Sequence, residues 1–228
     1  VLFVSSEVIP YLPNNDISSL TYALPKMVNE NGGQIRIFIP KYGVINERRH
    51  QLHEVIRLSG MNLIIDDLDM PLIIKVASIP KERMQVYFID NEEYFKDRAL
   101  HESENKKLYA DNDERAIFFA KGVVETIKKL NWTPDIIHVH GWIATLLPLY
   151  MKEYYKNEPI FQKTKVIVSL YENDIAGKLN SKIVKKIQFD EVNSDTLKIL
   201  EKSTYSGLFK NAILNSDGIV FAGDNIDE

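Results

Sequence analysis

The residues with the clearest chemical potential are two histidines within residues 132–142. His138 and His140 are two positions apart, so on a strand their side chains point the same way. Such a pair could hold a metal ion, but no third ligand is spaced to complete a zinc site. We therefore expect no metal here. One histidine should hydrogen-bond inside the fold, while His140 at the strand end could face a ligand hydroxyl.

Gly141 and Trp142 follow His140 directly, and a helical pattern begins at once. A buried strand that turns straight into a helix places these residues at the carboxyl end of a sheet, where open α/β folds bind ligands. Trp142 could stack on a sugar ring or fill the core, and the core is favoured. No Gly-x-Ser-x-Gly turn is present, so the sequence offers no nucleophile elbow, and we nominate no catalytic residue.

The elements that must position this edge alternate between strands and helices. Apolar runs typical of strands cover residues 1–4, 34–39, 135–139, 165–169 and 218–221, with helical patterns between them. Short strand-like runs between residues 54 and 89 follow one another without helices, which indicates a small antiparallel excursion. The sequence therefore predicts an α/β fold with a doubly wound, Rossmann-like, mostly parallel sheet and helices on both faces. We expect one domain over residues 1–228.

Three local features predict details of the helices. Asp16 is a fair N-cap for a first helix that Pro25 should end or kink. Asp111 and Glu114 have capping-box spacing at the start of the clearest helix, and capping is favoured over a metal or acid/base role. A long helical stretch is expected over residues 194–211.

Composition excludes several classes of function. The chain of 228 residues has a net charge of −4, which gives no electrostatic case for nucleic acid or an anionic membrane. It has no cysteine, and no apolar run approaches the about 20 residues of a membrane span. We expect a cytoplasmic protein. The loop after the first strand has no glycine, so a dinucleotide fingerprint is missing and we expect no cofactor.

Six segments, in order along the chain, resemble one family. They are Val1-Leu-Phe-Val-Ser-Ser-Glu-Val-Ile-Pro10, Tyr22-Ala-Leu-Pro-Lys26, Ile39-Pro-Lys-Tyr-Gly43, Val86-Tyr-Phe-Ile-Asp-Asn91 with Tyr94-Phe95, residues 113–119 and residues 132–140. Together they resemble the N-terminal half of bacterial glycogen synthases and plant starch synthases, glycosyltransferase family 5. The resemblance implies the N-terminal domain of a GT-B fold, in which two Rossmann-like domains face each other across a cleft. The implied activity is glucose transfer from ADP- or UDP-glucose to the end of an α-1,4-glucan.

The departures from the family pattern fall on its ligand loops. Where the family has Lys-x-Gly-Gly-Leu, this chain has Pro13-Asn14-Asn15-Asp16-Ile17. A proline supplies neither charge nor donor, and Asn and Asp carry side chains where bare backbone approaches the phosphates. An acidic position of the family is Ser19 here. In its His-x-His-Asp-Trp-His string, Gly141 replaces Asp and Ile143 replaces the last His. The next strand's Val-His-Asn ending is Ser169-Leu170-Tyr171.

By resemblance, the ligand-facing positions are Asn14, Asn15, Asp16, His140, Gly141, Trp142 and Asn173. The family's C-terminal domain supplies the nucleotide pocket and a catalytic Glu, and we expect it to be absent here and the domain to be inactive on its own. Three hypotheses remain open: the acceptor-side half of an enzyme that works with another domain, a non-catalytic module that holds α-glucan or a protein, and a domain that has lost its ligand. The expected partners are glycogen or, through a missing domain, ADP-glucose.

Overall fold

The computed structural model describes residues 1–172 and 175–223. Its centre is a mixed sheet of nine strands within these residues. The strands are β1 (Leu2–Ser5), β2 (Arg36–Pro40), β3 (His53–Glu54), β4 (Met61–Ile65), β5 (Leu68–Ser78), β6 (Gln85–Asp90), β7 (Ile136–His140), β8 (Lys165–Leu170) and β9 (Gly218–Phe221).

The helices lie between these strands in the chain. They are α1 (Asp16–Glu30), α2 (Glu92–Phe95), α3 (Asn112–Leu130), α4 (Leu147–Glu153), α5 (Ile183–Phe189) and α6 (Tyr205–Asn215). Three 3-10 segments cover Trp142–Ala144, Pro159–Phe161 and Asp195–Lys202. Within the described ranges, no helix has both the length and the apolar character needed to cross a membrane.

The strand order is β3-β5-β6-β2-β1-β7-β8-β9, with β4 paired to β5 alone. The strands from β6 to β9 along this order pair in parallel, whereas β5 pairs antiparallel with β3, β4 and β6. The prediction of a mostly parallel α/β sheet with a small antiparallel excursion is confirmed.

The topology changes direction at β1. The chain leaves β1 through α1 to β2 on one side and later returns to β7 on the other side, from which it proceeds to β8. Because parallel crossovers are right-handed, opposite directions of travel place α1 and α4 on opposite faces of the sheet. The carboxyl ends of β1 and β7 therefore flank a topological switch point, the usual ligand crevice of such folds.

The first helix differs from prediction in two ways. Its N-cap is Asn15, whose side chain accepts a hydrogen bond from the amide of Ser18, whereas Asp16 is the first helical residue. The helix also continues through Pro25, which lies on its buried face with Ile17 and Ser18, so the predicted end there is wrong and the alternative of a kink stays a prediction. One lost backbone hydrogen bond is offset here by the packing of that face.

The stretch predicted as one long helix over residues 194–211 is two segments. A 3-10 segment ends at Lys202, and Ser203 then adopts a left-handed backbone with φ of 52°. Thr204 is the N-cap of α6, and its Oγ1 accepts a hydrogen bond from the amide of Gly207 at 3.0 Å. A Cβ on Gly207 would meet the carbonyl oxygen of Ile199 at 3.1 Å, so the two segments are in close contact. The helical periodicity of the sequence does not reveal this break.

The acidic start of α3 forms ion pairs rather than a capping box. Asp111 occupies the N-cap position but its side chain makes no capping bond. Its carboxylate instead lies 3.3 Å from Arg98. Glu114 and the fully buried Asp113 each accept a hydrogen bond at 2.6 Å from Lys186 on α5. The capping-box prediction is wrong at the level of side chains, because Arg98 binds Asp111 and the buried Lys186 binds Glu114.

The buried cluster of Lys186, Asp113 and Glu114 predicts a large effect on stability. Replacing Lys186 with Met leaves Asp113 buried without its cation, which costs about 3–5 kcal/mol in comparable pairs. We expect urea denaturation to show a loss of this size for Lys186→Met. The exposed neighbour Lys185 is the control, and Lys185→Met should change the free energy of unfolding by less than about 0.5 kcal/mol. Equal effects of the two substitutions would contradict the structural role of the cluster.

Candidate functional site

A cavity of about 360 Å³ lies at the carboxyl edge of the sheet, beside the switch point. Its size is within the range of about 300–1,000 Å³ that is usual for small-molecule pockets. The ends of β1, β7 and β8 form one wall, and the segments before α3 and after β8 form the other. The lining residues are Ser6, Glu7, Ile17, Leu100, His101, Glu102, Trp142, Tyr171, Ile175, Ala176 and Phe209.

The end of β1 is held by a tight hydrogen-bonded turn. Ser5 Oγ donates to the carbonyl of Glu7 at 2.8 Å and accepts from its amide at 3.1 Å. The same hydroxyl lies 3.0 Å from Oγ1 of Thr21 on α1. The amide of Ser6 donates to the carbonyl of His140 at 3.0 Å, which ties this turn to the end of β7. Ser6 and Glu7 are thereby fixed at the cavity wall.

Glu7 is almost fully buried and pairs with an amide rather than a cation. Asn15 Nδ2 donates to Glu7 Oε2 at 2.6 Å. Burial raises the pKa of the Glu7 carboxyl, and the hydrogen bond from Asn15 opposes this rise. Asn15 thus has two roles, since its Oδ1 also caps α1 through the amide of Ser18 at 2.8 Å. The start of α1, a natural anion site, is occupied by the protein's own side chains.

The two histidines lie side by side and make internal contacts. His138 Nε2 lies 2.8 Å from Ser169 Oγ, which confirms the predicted internal hydrogen bond. His140 Nδ1 lies 2.7 Å from the hydroxyl of Tyr171. Burial lowers the pKa of His138 to about 4. Burial, and the repulsion that a protonated His138 would exert, hold the pKa of His140 well below its usual value. Both rings are therefore neutral at pH 7.

His140 lies behind the cavity wall rather than in it. The residue is fully buried, and Tyr171, which does line the cavity, occupies its Nδ1. Its Nε2 has no hydrogen-bond partner within the described residues. No group of three or more metal-binding side chains forms in that part of the chain. The ligand-facing role of His140 stays a prediction.

Gly141 and Trp142 make the turn that follows β7. Gly141 has φ of 77°, and a Cβ there would overlap Ser6 Oγ, so glycine is needed both for its backbone and for this close approach. Trp142 is 4% exposed and packs edge-on against Tyr205 with ring centroids 5.5 Å apart. The favoured core role of Trp142 is confirmed, and one part of the residue also borders the cavity.

The other predicted positions lie on the first loop or beyond the described residues. Asn14 and Asp16 are exposed, and Asn14 Oδ1 accepts a hydrogen bond from Ser19 Oγ. Asn173 lies outside the described residues. Asn15 is exposed as well, and its Nδ2 donates to Glu7 in the wall of the cavity that Trp142 also borders.

The sequence reasoning missed Ser6, Glu7 and Tyr171 as site residues. Ser6 and Glu7 directly follow β1, and Tyr171 directly follows β8. The rule that singled out His140, namely the end of a buried strand, applies equally to these positions. Residues 100–102 were also missed, and no sequence signal places that segment over the cavity.

The first turn of α3 holds residues 99–101 in place. Arg115, which is fully buried, donates to the carbonyls of Ala99 and Leu100 at 2.8 and 3.0 Å. Asn112 Nδ2 donates to the carbonyl of His101 at 2.7 Å and to the hydroxyl of Tyr205 at 2.6 Å. Three successive carbonyls are thus bound by two side chains, so this wall has a defined position.

The charges of the cavity lining are negative. Glu7 and Glu102 line it, and no Lys or Arg does so among the described residues. Burial lowers the pKa of His101, which keeps that ring neutral. Arg115 is a buried cation near this wall, but its terminal nitrogens donate to backbone carbonyls and to Asn112. The cavity therefore offers no lining cation to a phosphate.

A larger cavity of about 640 Å³ lies elsewhere, between β4, α3 and the ends of α4 and α5. Lys121 in its wall is bound to Asp190 and to the carbonyl of Ile64. None of the residues that line this larger cavity lies at the carboxyl end of a parallel strand. The switch point, not the volume, makes the smaller cavity the candidate site.

Comparison with solved structures supports the fold. The catalytic domain of starch synthase IV from Arabidopsis thaliana, bound to ADP and acarbose, superposes with a TM-score of 0.75 over 96% of this chain and 43% of that chain, at 16% sequence identity. At this identity the similarity shows the fold alone.

Sequence comparison identifies the family. A glycogen synthase from Chlorobium limicola is 38% identical over 195 residues, which are 85% of this chain and 40% of the relative. A glycogen synthase from Chlorobaculum tepidum is 38% identical over 189 residues, which are 82% of this chain and 38% of the relative. The chain thus spans about two fifths of the length of these curated relatives. The family model for the starch synthase catalytic domain matches residues 1–223. The chain belongs to the starch synthase catalytic domain family.

Proposed function

We propose that this domain holds the end of an α-glucan in the switch-point cavity and does not transfer glucose by itself. One observation carries the proposal. Ser6 Oγ and Trp142 Nε1, in two residues of the cavity wall, are buried polar groups without a hydrogen-bond partner in the described part of the chain. A buried group left unpaired costs about 1–3 kcal/mol, which a ligand hydroxyl would recover once a small side-chain shift exposes the group to the cavity.

The chemistry of the cavity suits a sugar. A hydroxyl can accept from the indole N–H of Trp142 and can exchange donor and acceptor roles with Ser6. The hydroxyl of Tyr171 and the oxygens of Glu7 and Glu102 add further polar atoms to the wall. Apolar surface from Ile17 and Phe209 completes the mixed lining that small-molecule sites usually have.

The same cavity is poorly suited to glucosyl transfer from a nucleotide sugar. Glucosyl transfer from a nucleotide sugar leaves negative charge on the departing phosphate, which positioned cations or amides must stabilise. Pro13 has no amide N–H, and Asn15 is bound to Glu7 and Ser18. With two carboxylates in the lining, this half of a synthase-type site repels rather than attracts a diphosphate.

A second candidate function is the acceptor-side half of a complete synthase. It is favoured by the match to about two fifths of each glycogen synthase, which leaves the rest of those proteins without a counterpart here. In that case the nucleotide would be bound by residues outside the chain described here. A cytoplasmic location is part of both candidate functions.

We expect the purified 228-residue chain to incorporate no labelled glucose into glycogen from ADP-glucose. The physical reason is that no Lys or Arg among the described residues lines the cavity to stabilise the leaving diphosphate. A complete glycogen synthase, assayed alongside, verifies the acceptor and donor. Incorporation above background that depends on this chain would overturn the proposed inactivity.

We expect the chain to be retarded on a native gel that contains glycogen, through Trp142. Trp142→Phe keeps an aromatic ring but removes the indole N–H, so glycogen affinity should fall about fivefold, as for one hydrogen bond of about 1 kcal/mol. Trp132 is the control, because its Nε1 donates to Gln34 at 3.3 Å away from the cavity. Trp132→Phe should leave the retardation unchanged. No retardation of the unaltered chain would contradict glucan binding.

A further inference from the structure

We propose that the switch-point cavity prefers a sugar that carries a protonated amine over the neutral sugar, because the buried carboxylate of Glu7 lies in its wall without a cationic partner. The inference rests on the proposed function, which places a sugar in this cavity, and it extends the class of ligand from a neutral α-glucan end to amino sugars. It concerns the class of ligand and names the residue that selects it.

Glu7 is a buried carboxylate without a cationic partner among the described residues. Its side chain is buried, and Asn15 binds Oε2 alone. No ion pair joins Glu7 to a Lys or Arg within the described residues, unlike the buried Asp113 and Asp190, which pair with Lys186 and Lys121. A carboxylate removed from water needs compensation, and an amide donor supplies only part of it.

The surroundings of the cavity carry a surplus of negative charge. Glu102 faces the same cavity. Burial raises the pKa of the Tyr171 hydroxyl, a hydrogen bond with Ser169 opposes this rise, and the charges of Asp16 and Glu7 add to it. The neutral ring of His101 adds no positive charge. A ligand ammonium would therefore meet a surplus of negative charge, and a ligand phosphate would meet repulsion.

Two uncharged polar groups belong to the same cavity wall as Glu7. Ser6 Oγ and Trp142 Nε1 are buried and unpaired in the same wall. A small shift of these side chains towards the cavity would let them bind sugar hydroxyls while an amine on the same ring donates to Glu7. A hydrogen bond between charged groups is roughly twice as strong as one between neutral groups, so the amine is the group that discriminates.

The test compares glucosamine, glucose and glucose 6-phosphate as ligands of the unaltered chain, by calorimetry or ligand-detected NMR at about pH 6.5, where an aliphatic amine next to hydroxyls is charged. We expect glucosamine to bind at least about tenfold more tightly than glucose, and glucose 6-phosphate to bind more weakly than glucose. Glucosamine and glucose share one ring and nearly the same size, so this pair isolates the charge, whereas glucose 6-phosphate adds the bulk of a phosphate as well as its charge.

A matched pair of variants tests the role of Glu7. Glu7→Gln removes the charge but keeps an oxygen that can accept from Asn15, so it should bring glucosamine and glucose to within about twofold of each other. Glu201→Gln removes a charge from the exposed surface of the 3-10 segment Asp195–Lys202 and should preserve the preference. Thermal unfolding of both variants verifies that they fold. If Glu7→Gln does not fold, the three-ligand comparison on the unaltered chain decides alone.

The outcomes separate this inference from the proposed function. Equal affinity for glucosamine and glucose overturns the amine preference but leaves a sugar-binding cavity. A preference that persists in folded Glu7→Gln overturns the assignment to Glu7. Binding of none of the three ligands, with no retardation on glycogen, overturns the proposed function and this inference together.

Discussion

The parallel pairing of β1 with β7 is the contact on which the candidate site depends. Ser5 lies beside His140 in this ladder, and the amide of Ser6 extends it to the carbonyl of His140. Because the chain leaves β1 on one side and returns on the other, a crevice remains where the two strands end. A register shift by one residue would move His140 to the opposite face and take Trp142 out of the wall. The close approach of Gly141 to Ser6 fixes that register.

The buried cations of the framework are held by internal partners. Lys186 binds two carboxylates, and the terminal nitrogens of Arg115 bind two carbonyls and Asn112, whereas Arg115 Nε has no partner within the described residues. At the cavity, Ser6 and Trp142 have buried polar atoms without partners. Unpaired buried polar atoms also occur elsewhere in the described chain, for example in Arg36 and Tyr155, so the position of Ser6 and Trp142 at the switch-point cavity is what places ligand binding there.

Much of the fold follows from local pattern. The short buried strands that flank the site have continuous apolar runs, and their alternation with helices predicts a parallel sheet. The local pattern does not predict the break at Ser203 or the continuation of α1 through Pro25. Both depend on contacts between different segments of the chain. The capping-box prediction at the start of α3 was wrong for the same reason, since Lys186, which binds Glu114, is 72 residues away in the chain.

The sequence by itself determined the α/β class, the family resemblance, the strand-end position of His140 and Trp142, and the replacement of a glycine-rich loop by Asn14, Asn15 and Asp16. These are properties of residue type and spacing along the chain. Only the tertiary structure decided that Tyr171 covers His140, that Asn15 binds Glu7, and that residues 100–102 close the cavity. Such contacts join distant segments, and their geometry depends on how the sheet and α3 pack, which no local pattern specifies.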